Sequence, residues 1–122
     1  MINAKKLLVV VLMGMISTSA VYAASMESLV AEGRKVFVTK KLGNCLACHA
    51  VQGDEGIPQT GNIGPKLANL DSYPKDYLFD KIWDPNKTVS DTLMPPMGRS
   101  HKITKHQIDA LVAYLQETTK AK

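Results

Sequence analysis

The string Cys45-Leu46-Ala47-Cys48-His49 constrains this chain more than any other part of it. Thiols three residues apart share one helical turn, where both can add across the vinyl groups on one edge of a single porphyrin. The histidine that follows then lies beneath the ring centre and offers an imidazole nitrogen to the iron. Two other chemistries use such a pair. A dithiol redox centre wants a βαβ setting, and no strand pattern of that kind surrounds the motif. A structural zinc site wants a second Cys or Cys/His pair at ligand spacing, and the chain's 2 cysteines both lie inside the string. The residues therefore predict one covalent haem c on Cys45 and Cys48, with His49 as an axial ligand of its iron.

The N-terminal segment suggests the compartment. Lys5 and Lys6 form a basic start, Leu7 to Ile16 an apolar stretch interrupted only by Gly14, and Val21-Tyr22-Ala23 a small-residue cleavage pattern. The apolar stretch is shorter than the roughly 20 residues that span a bilayer. The expectation is a signal peptide over residues 1–23, removed on export to the periplasm, without stable membrane insertion; an uncleaved anchor is the alternative. Covalent haem attachment outside the cytoplasm agrees with export.

What remains, residues 24–122, is sized for a single mono-haem domain. Losing the leader removes two lysines and no acid, so the formal charge falls by two from +4. Two haem propionates bring it close to neutrality, and no Lys/Arg stripe points to nucleic acid. So short a chain buries a thin core by itself. A haem supplies the missing apolar mass, and the haem-free protein is expected to be poorly folded.

Periodicity predicts helices joined by long loops, without repeats. A first helix is expected from about Met26 to Thr39, with Leu29, Val30, Gly33, Val36 and Phe37 along one face. Gly33 costs about 1 kcal/mol against alanine inside a helix, which suggests that another helix approaches closely there. A second begins near Pro74, carries Tyr77, Leu78 and Ile82 towards the core and stops before Asp84-Pro85. The last is the clearest. Thr104 and Gln107 have the spacing of a capping box, Ile103 and Ile108 stand at the staple positions, and Ile108, Leu111, Val112 and Leu115 form the stripe. Tyr114 is placed to lie over Gly33 and Phe37. Residues 53–65 and 84–100 are rich in Gly, Pro, Asn, Asp and Thr and read as loops. Such loops make sense wrapped around a haem. The fold class predicted is all-α, with helices at both ends crossing and the haem between the loops.

Candidates for the sixth iron ligand are Met94, Met97, His101 and His106. Pro95 and Pro96 stiffen the backbone just after Met94, which favours it as a weak thioether ligand. Met97 fits equally an apolar plug over the haem edge, while the two histidines lie in polar surroundings. Gly64-Pro65 has two readings. Its Pro65 carbonyl can accept the second imidazole N–H of His49, or the pair is an ordinary turn. Trp83 is read as a core residue packed on the porphyrin, the alternative being a part in a partner-facing haem edge.

Cys45–His49, Gly64-Pro65 and Met94-Pro95 between terminal helices resemble the class I mono-haem cytochromes c. A narrower likeness lies in the strings Gly43–His49, Gly61-Asn62-Ile63-Gly64-Pro65, Ile82-Trp83-Asp84-Pro85 and Met94-Pro95-Pro96-Met97-Gly98, followed by Val112-Ala113-Tyr114-Leu115. In this order they resemble the SoxX family, small cytochrome subunits of the SoxAX complex of bacterial thiosulfate oxidation. One departure is Met97, where an aromatic residue is more usual.

The resemblance implies a role. A SoxAX complex joins thiosulfate oxidatively to a cysteine of the SoxYZ carrier, an L-cysteine S-thiosulfotransferase activity. The reacting cysteine belongs to SoxA, and this chain has no spare thiol, so no catalytic residue is assigned to it. It would be the non-substrate-binding, electron-accepting subunit, with a SoxA-like partner, a SoxYZ-like carrier met transiently and a downstream acceptor cytochrome. The alternatives are a free-standing soluble periplasmic electron shuttle and a five-coordinate haem protein that binds a small ligand.

Overall fold

The structure, a computed structural model, describes residues 4–57 and 59–121, with side chains from residue 18 onwards. Three α-helices carry the fold: α1 (Ala4–Val38), α2 (Lys75–Trp83) and α3 (Lys105–Thr118). Three short 3-10 turns, Cys45–Ala47, Leu70–Ser72 and Pro85–Lys87, punctuate the loops. Among the described residues the sole β-pairing is an isolated parallel bridge between Val51 and Leu67. The chain is all-α, as the sequence pattern predicts.

The first helix is longer than expected. It starts at Ala4, not near Met26, and runs through the segment read as a leader. No proline interrupts that segment, and alanine and leucine favour helix, so the backbone has no local reason to break. The leader's side chains up to residue 17 lie outside the described residues. Among the described residues no helix is long and apolar enough to cross a membrane.

The terminal helices meet where glycine allows it. A Cβ on Gly33 would come within 2.6 Å of the Ala110 carbonyl carbon and 2.7 Å of Tyr114 Cβ. Phe37 and Tyr114 pack beside this crossing with ring centroids 5.6 Å apart and planes at 55°, a tilted pair contributing about 1 kcal/mol beyond its burial. Val36, Ile108, Leu111, Val112 and Leu115 complete the buried core. The start of α3 is fixed as its sequence indicates: Gln107 N donates to Thr104 Oγ1 at 3.2 Å, and Thr104 N donates to Gln107 Oε1 at 2.9 Å. Ile103 and Ile108 are both buried beside this cap. At the other end, buried Thr119 accepts from Leu70 N at its hydroxyl (2.9 Å) and from Asn69 N at its carbonyl (2.8 Å), which ties the Leu70–Ser72 turn to α3.

On α2, Leu78 and Ile82 face the core as expected, but Tyr77 does not. It is 43% exposed and stacks on Tyr73 with centroids 5.5 Å apart. Tyr77, Leu78 and Phe79 are consecutive, and a helix nine residues long can turn only one of its faces inwards. The aliphatic pair at i, i+4 takes that face, and the tyrosine keeps its hydroxyl in water.

A polar tie joins both long helices to the loop after the cysteine motif. Arg34 Nε on α1 donates to Asp54 Oδ2 at 2.6 Å, and the Tyr114 hydroxyl on α3 donates to the same oxygen at 2.8 Å. Gly56 N closes the loop on Asp54 Oδ1 at 3.1 Å. The Arg34 guanidinium, helped by the tyrosine hydroxyl, holds the Asp54 carboxyl below the usual carboxylate range despite partial burial. Burial, reinforced by Asp54, pushes the Tyr114 phenol up. Arg34 is 42% exposed, so the ion pair itself adds little. The tyrosine hydroxyl is the larger stake, because Tyr114 is buried and loses its acceptor if Asp54 goes.

Asp54→Ala is accordingly expected to lower stability by about 2 kcal/mol, read from the guanidinium midpoint of the haem-loaded protein. The pH dependence has a definite sign. The folded-state pKa of Asp54 is depressed, so its contribution is complete above about pH 4, the ordinary aspartate range. It is lost as pH falls through the lower folded value. The variant should therefore lose less stability than the wild type on going from pH 5 into acid, and an equal loss would contradict the tie.

Candidate haem site

The cysteine motif hangs from the end of α1. Gly43 N donates to Val36 O at 3.1 Å, which uses one of the free carbonyls of that helix. Gly43 is buried against Val36, and a Cβ there would stand 3.0 Å from Cys45 Sγ. Asn44 then takes a left-handed conformation with φ 52°, which asparagine tolerates better than most residues, and launches the Cys45–Ala47 turn. Cys48 N and His49 N both donate to Cys45 O, at 3.1 and 2.9 Å. Both thiols and the histidine thus sit on one tight turn. Cys45 and Cys48 are free of disulfide and partly buried, and burial pushes the Cys45 thiol up to about 12.

The 61–67 segment folds over this turn. Gly61 N donates to Leu46 O and Gly64 N to Cys48 O, each at 2.8 Å. Gly64 lies directly on the imidazole: a Cβ there would stand 2.7 Å from His49 Nδ1 and 2.8 Å from Nε2. His49 Nδ1 is 2.8 Å from the Pro65 carbonyl oxygen, so it carries the proton and donates. Among the described residues no hydrogen bond engages Nε2, which is the nitrogen left for a metal. The Pro65 carbonyl is thus aimed at the ring.

The remaining candidates lie on α2 and the loop after it. Met97 is buried and donates its N–H to Ile82 O at 3.2 Å, while Met94 is partly buried and donates to Thr92 Oγ1 at 3.2 Å. Trp83 stacks on Phe79 with centroids 5.9 Å apart and planes at 12°, with Lys105 Nζ 5.4 Å from the ring centre. The two histidine alternatives point elsewhere. His106 is exposed and lies 3.0 Å from Glu32, and His101 is exposed with φ 57°. Among the described residues no three His, Cys, Asp or Glu side chains come together as a metal cage, so the zinc reading has no ligand set.

The cytochrome c family profile matches residues 30–119 of this chain. The chain belongs to the cytochrome c family. Comparison with curated proteins finds no sequence match. Among solved structures the cytochrome is similar to the crystal structure of SoxXA from P. pantotrophus, with 25% identity and a TM-score of 0.64. The match covers 74% of this chain and 81% of that one.

Membership implies a covalent haem c, and the residues present fit it. Two thiols share a turn with an imidazole whose Nδ1 is occupied and whose Nε2 is not. Cys45, Leu46, Leu67, Phe79, Trp83 and Met94 pack on the core yet remain only partly buried. Apolar surface left half-covered in this way suits a large flat apolar group. The cytochrome also uses residues to which sequence reasoning gave no role of their own: Asn44, Arg34, Asp54 and Arg99. Only Asn44, beside a glycine and before the motif, carried a local signal for its conformation.

Proposed function

We propose that this cytochrome is the electron-accepting subunit of a SoxAX-type complex. The observation that supports this most is the similarity to SoxXA over most of that chain, joined to the ordered strings from Cys45 to Gly98. In this reading residues 1–23 are a signal peptide removed on export, and residues 24–122 form one mono-haem domain in the periplasm. Cys45 and Cys48 would hold the haem by thioether bonds, and His49 and Met94 would be the ligands of its iron. When bound, the haem supplies a one-electron iron couple, which a methionine ligand shifts to higher potential than a second imidazole would.

The chain's own residues then have separate tasks. The Pro65 carbonyl fixes the His49 tautomer and makes the imidazole a better donor. Gly64 leaves room for the ring to lie in one orientation. Trp83, held by Phe79, walls the site and keeps water from it. Both cysteines are committed, so no thiol remains to carry a sulfur intermediate, and substrate chemistry falls to the SoxA-like partner. Electrons reach this chain from that partner and leave it for a downstream cytochrome, while a SoxYZ-like carrier docks only transiently. Ile63 and Leu93 are 69% and 86% exposed, and in this reading the SoxA-like partner covers them.

The native protein is expected to co-purify with a second cytochrome as a stable complex in gel filtration. Elution as a monomer from native extract would favour the shuttle. The ligand assignment has its own check. The oxidised protein should show the weak far-red absorbance band of an iron–thioether bond. Met94→Ala should abolish that band and Met97→Ala should keep it. The reverse pattern would transfer the role to Met97.

A further inference from the structure

One buried side-chain oxygen among the described residues has no hydrogen-bond partner: Asp84 Oδ1. Asp84 follows α2 and is 7% exposed. It holds the N-cap position of the Pro85–Lys87 turn, where an aspartate carboxylate ordinarily accepts from a backbone N–H two or three residues on. Here the carboxylate makes no such bond, and Lys87 N donates to the Asp84 backbone carbonyl instead. The carboxylate has turned to Arg99, with Oδ2 3.0 Å from Nε. A buried carboxylate with one oxygen unsatisfied is costly, and it forgoes a favourable cap besides. Local rules are broken in this way chiefly where a functional geometry has to be held.

The ion pair closes a seam that backbone bonds also mark. Met97 N donates to Ile82 O at 3.2 Å and Arg99 N to Trp83 O at 3.1 Å. Gly98 between them lies so close to the indole that a Cβ would come within 2.6 Å of Trp83 Cδ2. The Met97–Arg99 segment is therefore laid against the last turn of α2. Met94 packs on the core, but among the described residues its one hydrogen bond is its N–H on Thr92 Oγ1. Between Met94 and the seam stand Pro95 and Pro96, whose φ angles are fixed by their rings. A stiff two-residue link makes the position of Met94 follow the position of the seam.

We propose that Asp84 and Arg99 are positioning residues for Met94: their ion pair clasps the Met97–Arg99 segment to α2 and, through Pro95-Pro96, holds the Met94 thioether at the iron. This rests on the Met94 ligand reading above. The test is an imidazole titration of the oxidised, haem-loaded protein, followed in the far-red band. Asp84→Asn and Arg99→Gln should each give up the methionine at an imidazole concentration lower by about fivefold, the upper end for a pair whose arginine is this exposed. Arg99→Lys, which keeps the charge, should recover part of the difference, and acid acetone should leave the haem on every variant. Arg99 is 59% exposed, so its replacement tests the clasp even if Asp84→Asn does not fold. Variants that melt earlier but hold the band against imidazole as the wild type does would overturn the proposal and leave the pair a structural one. Met94→Ala run alongside separates the two readings. If it retains the band before imidazole is added, the ligand reading fails, and the clasp falls with it.

Discussion

Cys45→Ala combined with Cys48→Ala is expected to yield protein that retains no haem in acid acetone. The expectation follows from one turn of backbone. Both side chains leave the Cys45–Ala47 turn beside His49, whose N–H is bound to Cys45 O, so one porphyrin edge can meet both sulfurs. On the proposed ligation only His49 and Met94 would then hold the iron, and acid releases both while it leaves the carbon–sulfur bonds of an attached haem intact. The consequence extends to the fold. Leu46, Leu67, Phe79 and Trp83 are only partly buried, and each square ångström of apolar surface left in water costs about 25 cal/mol. The double variant should accordingly unfold at lower denaturant and lose helix signal in circular dichroism. Red protein surviving acid acetone in that variant would remove the basis of the whole site.

The parts of the structure legible in the sequence are those decided within one or two helical turns. The partners of the capping box, Thr104 and Gln107, stand only three positions apart, and both of its bonds form as its residue types require. Gly33 was a costly residue in search of a reason, and Ala110 and Tyr114 supply it. What could not be read are pairings across distance. Asp54 meets Arg34 and Tyr114 at sequence separations of 20 and 60, and nothing local marks it as the tie between two helices. Asp84 is a further such case, since its carboxylate pairs with Arg99 and nothing local marks that partner. Tyr77 shows the limit of counting apolar residues: three in a row on a short helix leave the inward face undecided until burial is compared. The extent of α1 shows the same limit at a boundary, because helix propensity alone does not tell a leader from a domain.

The largest functional effect expected is a dependence on company. Alone, the cytochrome has no free thiol with which to hold a sulfonate, so thiosulfate added to the oxidised protein should leave its spectrum unchanged. Oxidative joining of thiosulfate to a carrier cysteine releases two electrons, and a single iron takes them one at a time. On the proposed role, reduction therefore needs the SoxA-like partner to do the sulfur chemistry and an acceptor cytochrome to clear each electron. The measurement that tests this most directly follows the haem absorbance of the oxidised cytochrome as thiosulfate is added, with a SoxA-like subunit, a SoxYZ-like carrier and an acceptor cytochrome present. Rapid reduction that vanishes when either the partner or the carrier is left out is the result predicted. A cytochrome that stays oxidised in the complete mixture, yet exchanges electrons rapidly with a membrane oxidase, would contradict the subunit role.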